Sequence, residues 1–171
     1  MATIYLIADL HFGSESIIRY ENRPFKNVEE MESCLIGNWN ATVSDEDSVY
    51  VLGDFSSNSE DQDREILSKL KGNKILIMGN HDTHRTPAQW RNLGFSECSP
   101  WPIILREFFI LSHEPMYINT NMPYGNFYGH IHSNSSYKNV SKQSACVCVE
   151  RIHYTPVSLE CLIKQMKEEN L

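Results

Sequence analysis

The sequence predicts a layered α/β domain with a mixed sheet. Apolar runs of strand length recur along the chain, helical apolar spacings lie between the first three of them, and the second half holds mostly strands. The runs cover residues 3–8, 48–52, 74–78, 108–111, 126–128 and 145–149. Several are continuous rather than alternating, as expected for strands covered on both faces.

The helices follow from spacing and from their ends. Val28, Met31, Leu35, Trp39 and Val43 recur three and four apart, which predicts a helix with one apolar face over residues 28–42. A shorter amphipathic piece covers residues 60–70 and stops at Gly72-Asn73, read as its C-cap. After Pro156 a last helix is predicted, with Ser158 as N-cap and Val157 and Leu162 as a hydrophobic staple. Leu159, Leu162, Ile163 and Met166 form its buried stripe, and residues 164–169 its solvated face.

Composition bounds the function. The chain has 171 residues, 41% of them hydrophobic and 22% charged, which describes a globular domain rather than a disordered one. We expect a single domain over residues 1–171, with no room for a separate cap. No run approaches the ~18 apolar residues of a membrane span, and no basic leader precedes the first strand. The five cysteines, an odd number in a chain that needs no staples, suggest a reduced, cytoplasmic setting. Cys146 and Cys148 alternate in a strand pattern, which puts both on one face as small core residues rather than metal ligands. A net charge of −7 argues against holding nucleic acid by bulk electrostatics.

The chemistry lies just after the strands. The first run ends in Asp9-Leu10-His11, the second in Gly53-Asp54 and the third in Gly79-Asn80-His81-Asp82. The fourth ends in Ser112-His113 and the fifth in Gly129-His130-Ile131-His132. Ligands of open α/β sheets bind at that edge. Each residue has a plain alternative: the Asp and Asn side chains could cap helices, and any one histidine could be partly buried with a backbone partner. Their recurrence at one end of five successive strands favours a shared site. Imidazole, carboxylate and amide oxygen without thiolate suit Mn²⁺, Fe, Zn²⁺, Co²⁺ or Ni²⁺ better than Ca²⁺ or Mg²⁺. Seven donors exceed the needs of one tetrahedral ion and suit two bridged by a carboxylate.

In these blocks the sequence resembles the calcineurin-like metallophosphoesterases, whose pattern runs D-x-H, G-D, G-N-H-D, a lone H and then G-H-x-H. The resemblance implies a four-layer α/β/β/α sandwich with mixed sheets. It also implies that Asp9, His11 and His132 hold one divalent ion, Asn80, His113 and His130 a second, and that Asp54 bridges them. Manganese is the favoured metal. His81 would face the phosphate, with Asp82 orienting it, and Asn80 would also touch substrate. A metal-bridging hydroxide would attack phosphorus in line, with a phosphodiester as the expected substrate. Phosphomonoester hydrolysis is the alternative, and a nuclease or a non-catalytic scaffold of the same fold are further rivals. The absence of a basic stripe weighs against a polymeric substrate. Two divalent ions would offset four of the seven net negative charges, which removes the objection to a small phosphoester.

Arg19 through Phe25 is similar to a loop of small, uncapped bacterial and phage members of that family. Arg19, Tyr20, Arg23 and Phe25 either contact the substrate or form an ordinary loop in which Pro24 sets a turn. That subgroup carries a further histidine three positions after His11, where this chain has Ser14. His84 and His153 are read as surface residues, His84 near enough to reach substrate. Trp101, between Pro100 and Pro102, is read as rigid loop packing.

Overall fold

In the computed structural model, which describes residues 2–119, 121–135 and 143–168, the chain opens with parallel strands separated by helices. These are β1 (Ile4–Ile7), α1 (Glu15–Tyr20), α2 (Val28–Thr42), β2 (Ser48–Val51), α3 (Glu60–Lys69) and β3 (Asn73–Ile77). A 3-10 turn (Asn80–Asp82), α4 (Pro87–Leu93) and β4 (Glu97–Ser99) complete this half. Then follow β5 (Ile103–Leu105), β6 (Phe109–Ser112), β7 (Gly125–Tyr128), β8 (Ser144–Cys146), β9 (Val157–Ser158) and α5 (Leu159–Glu168).

Two sheets result, ordered β4-β3-β2-β1-β9 and β5-β6-β7-β8. Each carries one antiparallel pair, β1 with β9 and β5 with β6, and is otherwise parallel. Both are therefore mixed, in an α/β/β/α sandwich. The continuous apolar runs have a direct cause. On β1 and its extension, Leu6 and Ala8 point into the space between the sheets, against Leu111, Phe127 and Val147. Ile7 points the other way, onto Met31, Leu35 and Trp39 of α2, with Leu67 of α3 and Trp90 of α4 in the same cluster. A strand with apolar neighbours on both faces cannot alternate. α5 reaches both sheets, and its Leu159 and Leu162 are buried in the cluster between them.

Local sequence sets the helix ends. Asn27 caps α2 by accepting from Glu30 N at 2.9 Å. Ser59 and Gln62 form a reciprocal capping box on α3. That helix ends at Leu70 rather than at Gly72, which instead turns the chain left-handed (φ +78°) into β3. Ser158 caps α5 by accepting from Cys161 N at 3.2 Å. Trp39 is fully buried, yet its indole N–H still donates to Lys71 O at 2.9 Å.

The two sheets are tied together at the end where the strands release their polar residues. Past β8, Val147 donates to Tyr128 O (2.8 Å) while its own carbonyl accepts from Ala8 N (2.9 Å). The pairing of β1 with β2 also outlasts the strands: Asp9 N donates to Gly53 O, His11 N to Asp54 O and Phe12 N to Phe55 O. Asp9, His11 and Asp54 are thereby fixed side by side before any side chain is considered.

Some expectations change and others hold. Trp101 is 73% exposed rather than packed. Phe25 is loop packing, its ring 5.0 Å from that of Tyr154 in a T-shaped contact. Of the solvated face of the last helix, Lys164 and Glu168 pair at 3.7 Å, and Glu169 lies outside the described residues. Cys146 and Cys148 share a face with sulfurs 3.1 Å apart, Cys148 buried beside Tyr128 and Ile131.

Candidate metal centre

Five of the seven candidate ligands adopt left-handed backbone: Asp9 (φ 60°), His11 (52°), Asp54 (54°), His130 (70°) and His132 (46°). Each such residue costs about 1–2 kcal/mol relative to ordinary backbone, and strain of this kind gathers where geometry serves a site. Glycines next to them make room. A Cβ on Gly53 would stand 2.7 Å from Gly79 Cα and 2.6 Å from Cγ of the His113 ring, and Gly53 is itself left-handed at φ +86°.

The side chains converge into two groups. In one, Asp9, His11 and His132 offer donor atoms within 4.8 Å of one another. His132 Nε2 stands 3.5 Å from Asp9 Oδ1 and His11 Nε2 stands 3.5 Å from Asp54 Oδ2. In the other, His113 Nε2 is 3.5 Å from that same Asp54 oxygen. Around it, Asn80 Oδ1 lies 2.9 Å from His113 Nε2 and 3.1 Å from His130 Nδ1. His113 Nδ1–H donates to Leu52 O at 2.9 Å, so a neutral His113 presents only a lone pair to Asn80 Oδ1.

Three observations fit this donor set to divalent ions. Asp9 Oδ1 and His11 Nε2 are buried without a hydrogen-bond partner among the described residues, an unfavourable condition unless a cation meets them. Two donors each about 2.1 Å from one ion at a tetrahedral angle lie about 3.4 Å apart, close to the 3.5 Å seen three times here. Third, burial favours two neutral imidazoles: it pushes His11 down to about 2, helped by the charge of His132, and lowers His113 against the opposing pull of Asp54, whereas His132, in spite of its burial, is raised by Glu150 and Asp9. Burial likewise raises Asp9 well above the usual carboxylate range when no cation faces it.

The other predicted residues fall into different places. His81 is exposed on the cleft wall; its N–H donates to Asp54 Oδ1 at 2.9 Å and its ring lies 5.3 Å from that of His11. Asp82 does not orient it. Its buried carboxylate accepts from the backbone N–H of Asp54 (2.7 Å), Phe55 (2.9 Å) and Gly79 (2.8 Å), and so joins the two ligand-bearing loops. Burial pushes Asp82 up to about 7, opposed by those N–H groups. His84 does line the cleft and supports His81: Nδ1–H donates to His81 O at 2.8 Å while Nε2 accepts from Arg85 at 2.7 Å. His153 is exposed and outside the site.

Neither arginine expected at the substrate reaches the cleft. Arg19 pairs with Glu15 in the open, on the outer side of α1. Arg23 is 4% exposed and lies beneath the site, bonded to backbone carbonyls and to Glu150. Ser14 is the N-cap of α1, with its hydroxyl 3.4 Å from Ile17 N. Sequence reasoning missed Glu150, whose Oε1 lies 3.1 Å from His132 Nδ1. It also missed Ser56, Ser57, Glu21 and Asn134 on the cleft wall. A signal for Glu150 existed, since it follows the sixth apolar run as Asp9 follows the first.

The cleft above this centre has a volume of about 740 Å³ and is open to solvent. Residues 2–143 match the model of the calcineurin-like phosphoesterases, and the chain belongs to that family of metal-dependent phosphoester hydrolases. It is 39% identical to an uncharacterized protein of Methanocaldococcus jannaschii over 175 residues, 98% of this chain and 93% of that protein. The gene 66 protein of Mycobacterium phage L5 is 35% identical over 85 residues, 48% of this chain and 41% of its own. The crystal structure of a protein of unknown function from Aquifex aeolicus superposes with a TM-score of 0.76 at 26% identity, covering 96% of this chain and 99% of that one. Among the described residues, no helix is long and apolar enough to cross a membrane.

Proposed function

We propose that this chain hydrolyses a small phosphodiester with two divalent ions. Asp9, His11 and His132 would hold one, and Asn80, His113 and His130 the other. Asp54 stands between them, and this shared oxygen carries the reading: Oδ2 lies 3.5 Å from His11 Nε2 and 3.5 Å from His113 Nε2. The bound ions supply Lewis acidity, polarising a phosphoryl oxygen and making water nucleophilic at neutral pH. The mixed nitrogen and oxygen donors, with no thiolate among them, suit Mn²⁺, Fe, Zn²⁺, Co²⁺ or Ni²⁺, and of these we take manganese as the working assignment.

The rest is done by the chain's own groups. His81 is anchored at both backbone ends, by Asp54 Oδ1 and by His84 Nδ1, so its imidazole is aimed while its ring stays available to substrate. From the cleft wall it can hold a proton against the departing oxygen or lend its charge to the phosphoryl group. Asn80 sits between His113 and His130 beside the same cleft, where it would touch the phosphoryl oxygens.

The preference for a diester rests on charge. Among the described residues lining the cleft there is no lysine or arginine. A phosphomonoester brings two negative charges and a nucleic acid many, whereas a diester brings one to the ions alone. The partner is therefore a small phosphoester rather than a polymer, and the five free thiols suit a reducing cytoplasm. The test is elemental analysis of the purified protein, then matched aryl diester and aryl monophosphate substrates with each candidate metal. Two metals per chain and faster diester cleavage are expected. Faster cleavage of the monophosphate would reverse the substrate assignment.

A further inference from the structure

The sixth apolar run ends at Glu150, outside the span matched by the family model, and its carboxylate turns back beneath the metal centre. His132 uses both ring nitrogens. Nε2 faces the orphaned Asp9 Oδ1 at 3.5 Å, and Nδ1 lies 3.1 Å from Glu150 Oε1. A neutral imidazole carries one proton. With that proton on Nδ1 for Glu150, Nε2 keeps a lone pair directed at the Asp9 side. Carboxylates behind metal-bound histidines commonly act this way, fixing tautomer and ring orientation.

Arg23 holds the carboxylate in turn. Its Nε and one terminal nitrogen donate to the same Glu150 oxygen at 2.9 and 2.7 Å. Its two terminal nitrogens also donate to Asp9 O (2.7 Å) and Leu10 O (2.9 Å), in the turn between left-handed Asp9 and left-handed His11. The Arg23 side chain is fully buried and that of Glu150 is 6% exposed. We propose that Glu150 and Arg23 are a positioning pair: Glu150 sets the tautomer and angle of His132 toward a divalent ion, and Arg23 locks Glu150 to the backbone that carries Asp9 and His11. The proposal rests on the dinuclear reading above.

Glu21, His132 and Glu150 also lie close enough to form a ligand group of their own. A guanidinium already 2.7 Å from Glu150 makes a further cation there costly, and Glu21 Oε2 is engaged by Ser133. Orientation is the role the contacts support.

Zinc is the probe, being diamagnetic and suited to imidazole and carboxylate. ¹⁵N NMR of the zinc-loaded wild-type protein should show His132 protonated at Nδ1 and zinc-bound at Nε2. Chelator competition should show Glu150→Gln weakening one of two zinc sites by about 10–100-fold and leaving the other unchanged. A purely structural role would lower the melting temperature without splitting the two affinities. If the single variant does not fold because Arg23 is left uncompensated, the double variant Arg23→Met, Glu150→Gln removes both charges and should show the same split. Zinc at Nδ1 of His132, or two unchanged affinities in a folded variant, overturns the proposal. A wild-type protein that takes up no zinc sinks the dinuclear reading and this one with it, whereas two zinc ions with no effect of the variants sinks this one alone.

Discussion

Asp54 Oδ2 and His113 Nε2 stand 3.5 Å apart, too far for a hydrogen bond and suited to two ligands of one ion. The same oxygen has the same separation from His11 Nε2, although the two histidines follow strands of different sheets. Replacing this carboxylate with an amide removes the charge that both groups share. Asp54→Asn is expected to lower metal content from two ions per chain to one or none. The loss of activity should exceed the about 10–100-fold typical of an outer-shell change. Elemental analysis and a diester assay check both, and two retained ions with full activity would refute the bridging role.

Unlike His113 and His130, whose ring nitrogens lie 2.9 and 3.1 Å from Asn80 Oδ1, His81 meets the candidate ligands through its backbone N–H, which donates to Asp54 Oδ1. His81→Gln should therefore keep both ions while lowering kcat by about 10²–10⁴-fold. The loss should shrink for a nitrophenolate leaving group, which needs no proton to depart. Equal losses with good and poor leaving groups would point to charge stabilisation instead of proton transfer. Depletion of metal in this variant would show that His81 is a ligand after all.

How much of this was legible beforehand depends on what each feature rests on. The α2 helix was readable to its ends because the spacing of Met31, Leu35 and Trp39 coincides with the buried face that forms. α4 was overlooked, although Thr86-Pro87-Ala88-Gln89 spells a capping box with proline in the first turn. At six and two residues, α1 and β9 are too short to establish a period. Metal-competent residues announce themselves by type, so the candidate ligands could be named. Their supports do not: nothing in the type of Arg23 or Asp82 distinguishes a substrate contact or an orienting acid from a residue bonded to buried backbone. Those assignments needed the distances to Asp9 O, Leu10 O and the N–H groups of Asp54, Phe55 and Gly79.

Two glycines make opposite predictions. Gly37 lies within α2 with no atom within 4 Å of where a Cβ would sit. Gly37→Ala should raise stability by about 0.5–1 kcal/mol, by restricting the unfolded chain and favouring helix. Gly53 is left-handed at φ +86° with its neighbours closed around it. Gly53→Ala should cost about 1–2 kcal/mol for the backbone alone, and more for the displacement of His113, with metal uptake impaired. Urea unfolding of the metal-free proteins measures both. A neutral Gly53→Ala would mean that the turn before Asp54 is not under the constraint inferred for it.

Acid stability should expose a contact far from the metal centre. Asp47 Oδ2 accepts from the Ser44 hydroxyl (2.6 Å) and Ser44 N (2.8 Å), and Oδ1 accepts from Thr3 N at 2.7 Å. The Ser44 hydroxyl first, and then these N–H groups, hold the Asp47 carboxyl below the usual carboxylate range. Because folding favours the ionised form, its contribution is complete above the free carboxyl value of about 4. It is lost as pH falls through the lower folded value. Asp47→Asn should therefore melt below the wild-type protein at pH 6–7, with the gap narrowing as the pH falls below the free carboxyl value. Thermal melts of the metal-free proteins across that range test it, because the titration of His11 and its buried neighbours is common to both proteins and cancels in the gap between them. A gap that stays constant to the lowest pH at which both proteins fold would show that Asp47 contributes through geometry, not through charge.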